Sequence, residues 1–266
     1  MNRLQVITSK DNEIIKSIRK LKEKKYREES KKFIVEGIKM VEEAMQEKAS
    51  IDKIVICEDC SQEDYYHRLD IYELAKNEII TVSEKVFKEL TNVEKPQGIL
   101  AVVHKPEPKV LQYKEDIIIA LDGIQDPGNL GTILRTIDSV GLTQVILGEK
   151  TADPYNPKVV RSTMGAIYRV HMIQTENLVN TLKQAKKNQY KIIATALTQD
   201  SKSLYDTSLK QKVIVIGNEA NGVSEEVLKM TDEKMMIPML GKTESLNAAV
   251  ATGVILYEYA RNKIKK

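Results

Sequence analysis

The chain has 266 residues, 42% of them hydrophobic and 30% charged, which is enough for two globular domains with their own cores. No apolar stretch approaches the ~20 residues that a membrane span requires, and Met1–Val6 lacks the apolar run of a signal peptide, so a cytosolic location is expected. A formal net charge of +3 excludes a polycation as a whole.

The charge is unevenly placed. Residues 1–32 hold eleven cations against five acids, a local excess of the kind that phosphate backbones attract. A solvated helix face with mixed ion pairs is the equal alternative. Over residues 11–25, Ile14, Ile15, Ile18 and Leu21 recur at helical spacing, with basic residues on the other face. Phe33–Glu36 reads as a strand, Gly37–Glu47 as an amphipathic helix, and Ile51–Cys57 and Ile79–Val82 as further strands. Ser83 reads as the cap of a helix carrying Val86, Phe87 and Leu90, and Gly98–Val103 closes this small α/β unit. Lys105–Lys109, with two prolines in a charged pentad, reads as a stiff linker. Domains are therefore expected at 1–106 and 116–266, joined by 107–115. The second alternates strands near 116–121, 144–147, 168–173, 191–196, 212–216 and 234–237 with helices near 129–140, 157–163, 176–188, 224–230 and 246–262. Uninterrupted apolar runs such as Val213–Ile216 suit strands buried on both faces, hence a parallel sheet with helices on both sides.

Several familiar chemistries are excluded. Cys57 and Cys60 form a single C-x-x-C; a zinc site needs two more ligands, and the intervening Glu58 and Asp59 disfavour a thiolate, so no metal or redox role is expected. Gly241–Thr243 lacks the first glycine of a P-loop because Met236 stands there. Gly128–Gly131 is half a dinucleotide fingerprint, with Asp126 where a glycine is needed.

Three other segments are more informative: Leu121–Arg135, Val213–Gly222 and Ile237–Asn247. Each leaves an apolar run, passes through a Gly/Asn/Pro loop and enters a helical pattern. In an open α/β sheet such strand-end loops share one edge, where ligands bind, so Asn129, Arg135, Glu219, Ser245 and Asn247 are expected to converge. Singly, each has a blander reading: Asn129 as a helix cap, Arg135 as a surface charge, Glu219 as a tie for its loop, Ser245 as the N-cap of a core helix. The small residues Ala248, Ala249, Ala251, Thr252 and Gly253 demand close helix packing, and a cap alone leaves that unexplained.

The same segments resemble, in order and spacing, the signature motifs of the SpoU/TrmH family of RNA ribose 2′-O-methyltransferases within the SPOUT superfamily, through Asn129–Thr136, Ile216–Val223 and Ile237–Asn247. Arg161–Ala166 resembles a further family stretch, with Thr163 and Met164 departing from its usual small residues. Ile7–Asn12, Phe33–Gly37 and Gln97–Val102 are similar to the substrate-binding domain of the family's rRNA branch, so the resemblance spans essentially the whole chain. It implies a small N-terminal ribosomal-protein-like α/β domain that binds RNA. It also implies a C-terminal parallel-sheet SPOUT domain with a trefoil knot over about 213–258, a homodimer, and S-adenosylmethionine bent in the knot.

By position, that cofactor is expected to touch Ala196, Leu197, Gly217, Ile237, Met239, Leu246 and Asn247. The resemblance assigns catalysis to Asn129, Arg135, Glu219, Ser245 and Asn247, with Arg135 serving the neighbouring chain's site. RNA contact is expected from Arg19, Lys22, Lys24, Lys25 and Arg27, and from Arg161 on a loop beside the site. The expected acceptor is a ribose 2′-hydroxyl, in the first place of 23S ribosomal RNA. Transfer RNA, a base acceptor and a non-catalytic ribosome assembly factor are the alternatives. No metal or membrane partner is implied.

Overall fold

The computed structural model describes residues 6–58 and 78–264; Arg3 and Cys60 lie outside them. The chain forms two compact units, Met1–Glu107 with Asp153–Tyr168, and Pro108–Ala152 with Arg169–Lys266. No helix among the described residues is long and apolar enough to cross a membrane.

The first unit is built on strands β1 (Lys32–Glu36), β2 (Ile51–Cys57), β3 (Ile79–Val82) and β4 (Ile99–His104), in the order β1-β4-β2-β3. Strand β4 is antiparallel to β1 and β2, and β3 is parallel to β2. The helix expected over 11–25 is in fact two, α1 (Glu13–Lys20) and α2 (Lys24–Ser30). Asn12 caps the first, its side chain accepting from the Ile14 N–H at 2.9 Å. The apolar stripe Ile15, Ile18 and Leu21 packs on Ile34, Val55, Val82, Phe87 and Leu100 and runs out where α1 ends. The one side chain that α2 buries is Arg27, so the second helix is invisible to an apolar pattern.

Arg27 explains why 153–168 belongs here, although the sequence reading kept 116–266 unbroken. It is 2% exposed. Its guanidinium donates to Asp153 Oδ2 at 3.0 and 2.5 Å and to the carbonyls of Leu21 and Lys22 at 2.8 and 2.7 Å. Tyr155 packs on Phe33 with ring centroids 4.9 Å apart, and Lys105 lies over the Tyr155 ring at 4.6 Å. Tyr168 donates to the Met40 carbonyl at 3.3 Å. Burial pushes both tyrosine hydroxyls well above the ordinary tyrosine range.

The second unit holds β5 (Ile117–Asp122), β6 (Gln144–Leu147), β7 (His171–Gln174), β8 (Lys191–Thr195), β9 (Lys202–Ser203), β10 (Lys212–Gly217) and β11 (Glu233–Met236). Their order is β7-β6-β5-β10-β8-β11-β9, every neighbouring pair parallel. The adjacent strands β5 and β10 are buried almost end to end, as their apolar runs foretell. At two residues, β9 is too short to carry a pattern. The strand expected from 168 starts at His171 because Ala166–Arg169 is a helical turn. Residues 108–115, expected to be linker, pack with this unit: Leu111 enters its core, and the Gln112 N–H donates to Gln144 Oε1 at 3.0 Å. A parallel sheet brings the C-terminal ends of β5, β8, β10 and β11 to one edge, and that edge carries the site.

Candidate active site

A cavity of about 530 Å³ opens at this edge, lined by Thr195–Leu197 after β8, Ile216–Ala220 and Gly222 after β10, Met235–Ile237 and Met239 around the end of β11, and Ser245–Ala248, Ala251 and Ile255 leading into the C-terminal helix (Ala248–Ile264). All seven residues expected to touch a cofactor line it: Ala196, Leu197, Gly217, Ile237, Met239, Leu246 and Asn247. Its size is that of a small-molecule pocket, for which roughly 300–1,000 Å³ is usual. Among the described residues, the N–H groups of Ile237 and Leu246 have no hydrogen-bond acceptor within the chain and remain available to a ligand. The loop after β10 is tight. A Cβ on Gly217 would lie 2.1 Å from the Gly222 carbonyl carbon, and Gly222 itself adopts φ +67°, a conformation that glycine tolerates without strain.

Three of the five expected polar residues meet. Asn129 Nδ2 donates to Glu219 Oε1 at 2.7 Å, and Asn247 Nδ2 donates to Asn129 Oδ1 at 3.0 Å. Asn247 Oδ1 in turn accepts from the Ala249 and Val250 N–H groups at 2.9 and 3.3 Å. The direction of this chain is fixed at both ends. A carboxylate only accepts and backbone N–H groups only donate, so neither amide can turn over without breaking a bond. Asn247 is thereby the cap of the C-terminal helix, the job the blander reading gave to Ser245. Ser245 lines the cavity but is exposed, with no partner among the described residues. Asn129 is likewise not a cap: Asp126 caps the helix Pro127–Ser139, accepting from the Asn129 N–H at 2.8 Å, so the Asn129 side chain is free to serve the site.

Arg135 does not join them. Six residues beyond Asn129 on the same helix, it is turned about 120° and displaced about 9 Å along the axis. It is exposed, has no partner among the described residues and does not line the cavity. The helix that carries it packs closely on the C-terminal helix: a Cβ on Gly253 would lie 4.0 Å from Thr136 Cγ2.

Two positioning residues escaped the sequence reading. Asn218 Nδ2 donates to the Gly123 carbonyl at 2.8 Å, while its Oδ1 accepts from the Ala220 and Asn221 N–H groups at 2.9 and 3.2 Å. Asp122 Oδ2 accepts from the Ser224 N–H at 2.8 Å. Together they tie the loop carrying Glu219 to the end of β5. The tendency of Asn to close an Asx-turn is the only signal that could have marked Asn218.

The expected RNA-contact residues separate. Arg27 is withdrawn from that set, being buried in its ion pair. Lys22 donates to the Glu89 and Thr91 carbonyls at 2.8 Å each, and burial lowers its pKa below the usual lysine value. Arg19 lies 3.5 Å from Glu89. Lys24 and Lys25 are exposed. Arg161 is also exposed, but it sits in the last turn of the helix Pro157–Thr163 in the first unit and not on a loop of the second. Among the described residues no group of three or more His, Cys, Asp or Glu side chains could hold a metal ion.

Residues 116–257 match the SpoU rRNA Methylase family, and residues 12–101 match the MRM3-like substrate binding domain. The chain belongs to the SpoU rRNA methylase family. It is 33% identical over 255 residues to the 23S rRNA (guanosine(2553)-2′-O)-methyltransferase RlmP of Bacillus subtilis, covering 96% of this chain and 98% of that one. An AdoMet-bound rRNA methyltransferase from Sinorhizobium meliloti superposes with a TM-score of 0.84 at 30% identity, over 98% of both chains. The SpoU methyltransferase AviRb of Streptomyces viridochromogenes, in complex with AdoMet, gives a TM-score of 0.84 at 25% identity over 95% of this chain and 98% of its own.

Proposed function

We propose that this protein transfers the methyl group of S-adenosylmethionine to a ribose 2′-hydroxyl of RNA, in the first place of 23S ribosomal RNA. The observation that carries the reading is the directed chain Glu219–Asn129–Asn247, which joins all three motifs and of which Glu219 and Asn247 line a ligand-sized cavity. The resemblance to RlmP and to two AdoMet-bound methyltransferases supports the substrate and the donor.

When bound, S-adenosylmethionine supplies an electrophilic methyl group. The protein's contribution is placement and charge. The free N–H groups of Ile237 and Leu246 bind the donor, with Ala196, Leu197, Gly217 and Met239 forming its walls. Glu219 holds the Asn129 carboxamide in one orientation, leaving its second N–H to fix the ribose. Positioning of this kind removes most of the barrier that a bimolecular encounter faces. A ribose hydroxyl is a weak nucleophile until its proton leaves; that proton passes through a phosphate oxygen of the RNA to solvent, while the guanidinium of Arg135, which stays protonated and so accepts none, stabilises the alkoxide as it forms. Ser245, at the cavity wall with its hydroxyl unpartnered among the described residues, is left to bond the substrate or the donor.

We read Arg135 as serving a second copy of the chain in a homodimer. Its position away from its own cavity supports this, as do Val250 and Tyr257, 53% and 52% exposed and seven residues apart, hence on one face of the C-terminal helix. The C-terminal segment is read as the knotted one, supported by β10 standing between β5 and β8 in the sheet. We read the protein as cytoplasmic, a location supported by the proposed ribosomal RNA substrate and by the resemblance to RlmP.

The test is to incubate protein, ribosomal RNA and methyl-labelled S-adenosylmethionine, digest the RNA to nucleosides and locate the label. Label on a ribose 2′-oxygen is expected; label on a base, or none, overturns the reading. For the shared site, Arg135→Ala and Asn247→Ala should each be inactive. Dissociating and mixing them should restore about a quarter of wild-type activity, because half the dimers then carry one complete site. No recovery in mixed dimers would place Arg135 in its own subunit's site.

A further inference from the structure

The corner between α1 and α2 holds a tyrosine that the proposed reaction leaves unused. Tyr26 is half-buried, and its hydroxyl has no partner among the described residues. The ammonium groups of Lys20 and Lys25 stand 5.3 and 5.8 Å from the centroid of its ring. Lys20 and Lys24 have no acidic partner among the described residues, and Lys25 reaches Glu29 only at 4.0 Å.

The surroundings sharpen the contrast. Arg19, Lys22 and Arg27 of the same segment are held by Glu89, by two carbonyls and by Asp153. Internal pairing thus disposes of three of the six cations between Arg19 and Arg27, and of the three left over, Lys20 and Lys25 stand about one aromatic ring. The corner lies within the segment matching a substrate binding domain.

We infer that Tyr26 stacks an unpaired RNA base while Lys20, Lys24 and Lys25 hold the phosphates on either side of it. This rests on the reading of RNA as the substrate and adds that the first unit selects single-stranded nucleotides. The chemistry is that of a stacking platform in a basic track. A π-face accepts any base, provided the base has left its helix. The two flexible lysines, attracted to the ring face in the free protein, have only to swing aside to meet phosphates.

The two kinds of contact differ in salt dependence, and that difference makes the test. Affinity for a short single-stranded oligoribonucleotide, and for a blunt RNA duplex with the same number of phosphates, is measured against salt concentration. Tyr26→Leu keeps the apolar bulk, and Tyr26→Phe keeps the ring. Tyr26→Leu should weaken single-strand binding about tenfold at every salt concentration, leave the salt slope unchanged and leave the duplex alone. Tyr26→Phe should match the wild type. Lys20→Gln and Lys25→Gln should each reduce the single-strand slope by about 0.7. Thermal unfolding of both tyrosine variants controls for damage to the fold, and an unfolded Tyr26→Leu leaves the decision to the lysine slopes and to Tyr26→Phe. Single-strand binding by a folded Tyr26→Leu at wild-type strength, an equal loss on the duplex, or unchanged lysine slopes overturns the inference. Failure of the wild-type protein to bind either probe would instead bring down the RNA reading beneath it.

Discussion

Arg27 offers the sharpest separation of structure from substrate binding. Replacing it with Met removes the partner of Asp153, whose side chain is only 8% exposed, and strips the Leu21 and Lys22 carbonyls of a donor. Breaking a buried ion pair from one side costs about 3–5 kcal/mol, because the surviving charge stays buried without compensation. For a unit of this size that corresponds to a fall in melting temperature on the order of 10 °C or more. Arg27→Met/Asp153→Leu, which leaves no orphaned charge, should recover much of the loss. Differential scanning calorimetry gives the stability, and RNA binding below the new transition gives the second readout. The salt slope of binding should equal that of the wild type, because a cation already spent on Asp153 releases no counterion from RNA. A slope reduced by about 0.7–0.9 with little change in melting temperature would refute the reasoning and return Arg27 to the RNA surface.

Three further outcomes follow from the site and its supports. Glu219→Gln replaces a charged acceptor by a neutral amide that can donate as well as accept, so the Asn129 amide is held only from the Asn247 side; kcat should fall about ten- to a hundredfold while S-adenosylmethionine affinity, read by calorimetry, stays close to wild type. Asn218→Asp keeps the acceptor that closes the turn but loses the donor to Gly123, and should lower kcat about five- to tenfold with RNA KM unchanged; wild-type turnover by that variant would strike Asn218 from the positioning residues. Burial, aided by the neighbouring Lys109 ammonium and opposed by Glu115, lowers the His171 pKa below 6.5. The unfolded chain therefore takes up this proton first, and the stability that neutral His171 contributes is complete above about pH 6.5 and lost as pH falls through the lower folded value. Melting temperature recorded from neutral to mildly acid pH should fall less steeply in His171→Gln than in the wild type.

The second unit was legible because its physics is periodic. Runs such as Ile117–Leu121 and Val213–Ile216 admit little but a buried strand, and their parallel alignment follows from the helical segments between them. Convergence of three loops at one sheet edge followed in turn. What stayed hidden has no period. Helix α2 buries a charged side chain instead of an apolar stripe, so neither the helix nor its hold on Asp153, 126 positions away, could be read from spacing. Asn129 and Arg135 belong to one strand-end segment and so read as converging at the shared sheet edge, whereas helical geometry turns the two side chains apart, as an Arg135 that serves a neighbouring copy requires. Asp126 and Asn247 took the capping jobs that Asn129 and Ser245 had been offered. A pattern marks a cap only to within a residue or two, and here that margin decides which side chains remain free for chemistry.

The same point bears on charge. An excess of cations in residues 1–32 is a statement about a stretched chain, and folding consumes part of it. Arg27 is neutralised inside the unit, Lys22 turns its ammonium onto two carbonyls, and Arg19 and Lys16 find Glu89 and Glu13. Counterion release counts only cations that still face solvent in the folded protein. The affinity for RNA that the composition suggests is therefore an overestimate; Lys10 stays exposed ahead of α1, and at the α1–α2 corner Lys20 and Lys25 stand about an aromatic ring. A basic segment spread evenly along a helix would grip any phosphate backbone. One that gathers two of its free cations about Tyr26 takes part of its specificity from what the ring can reach.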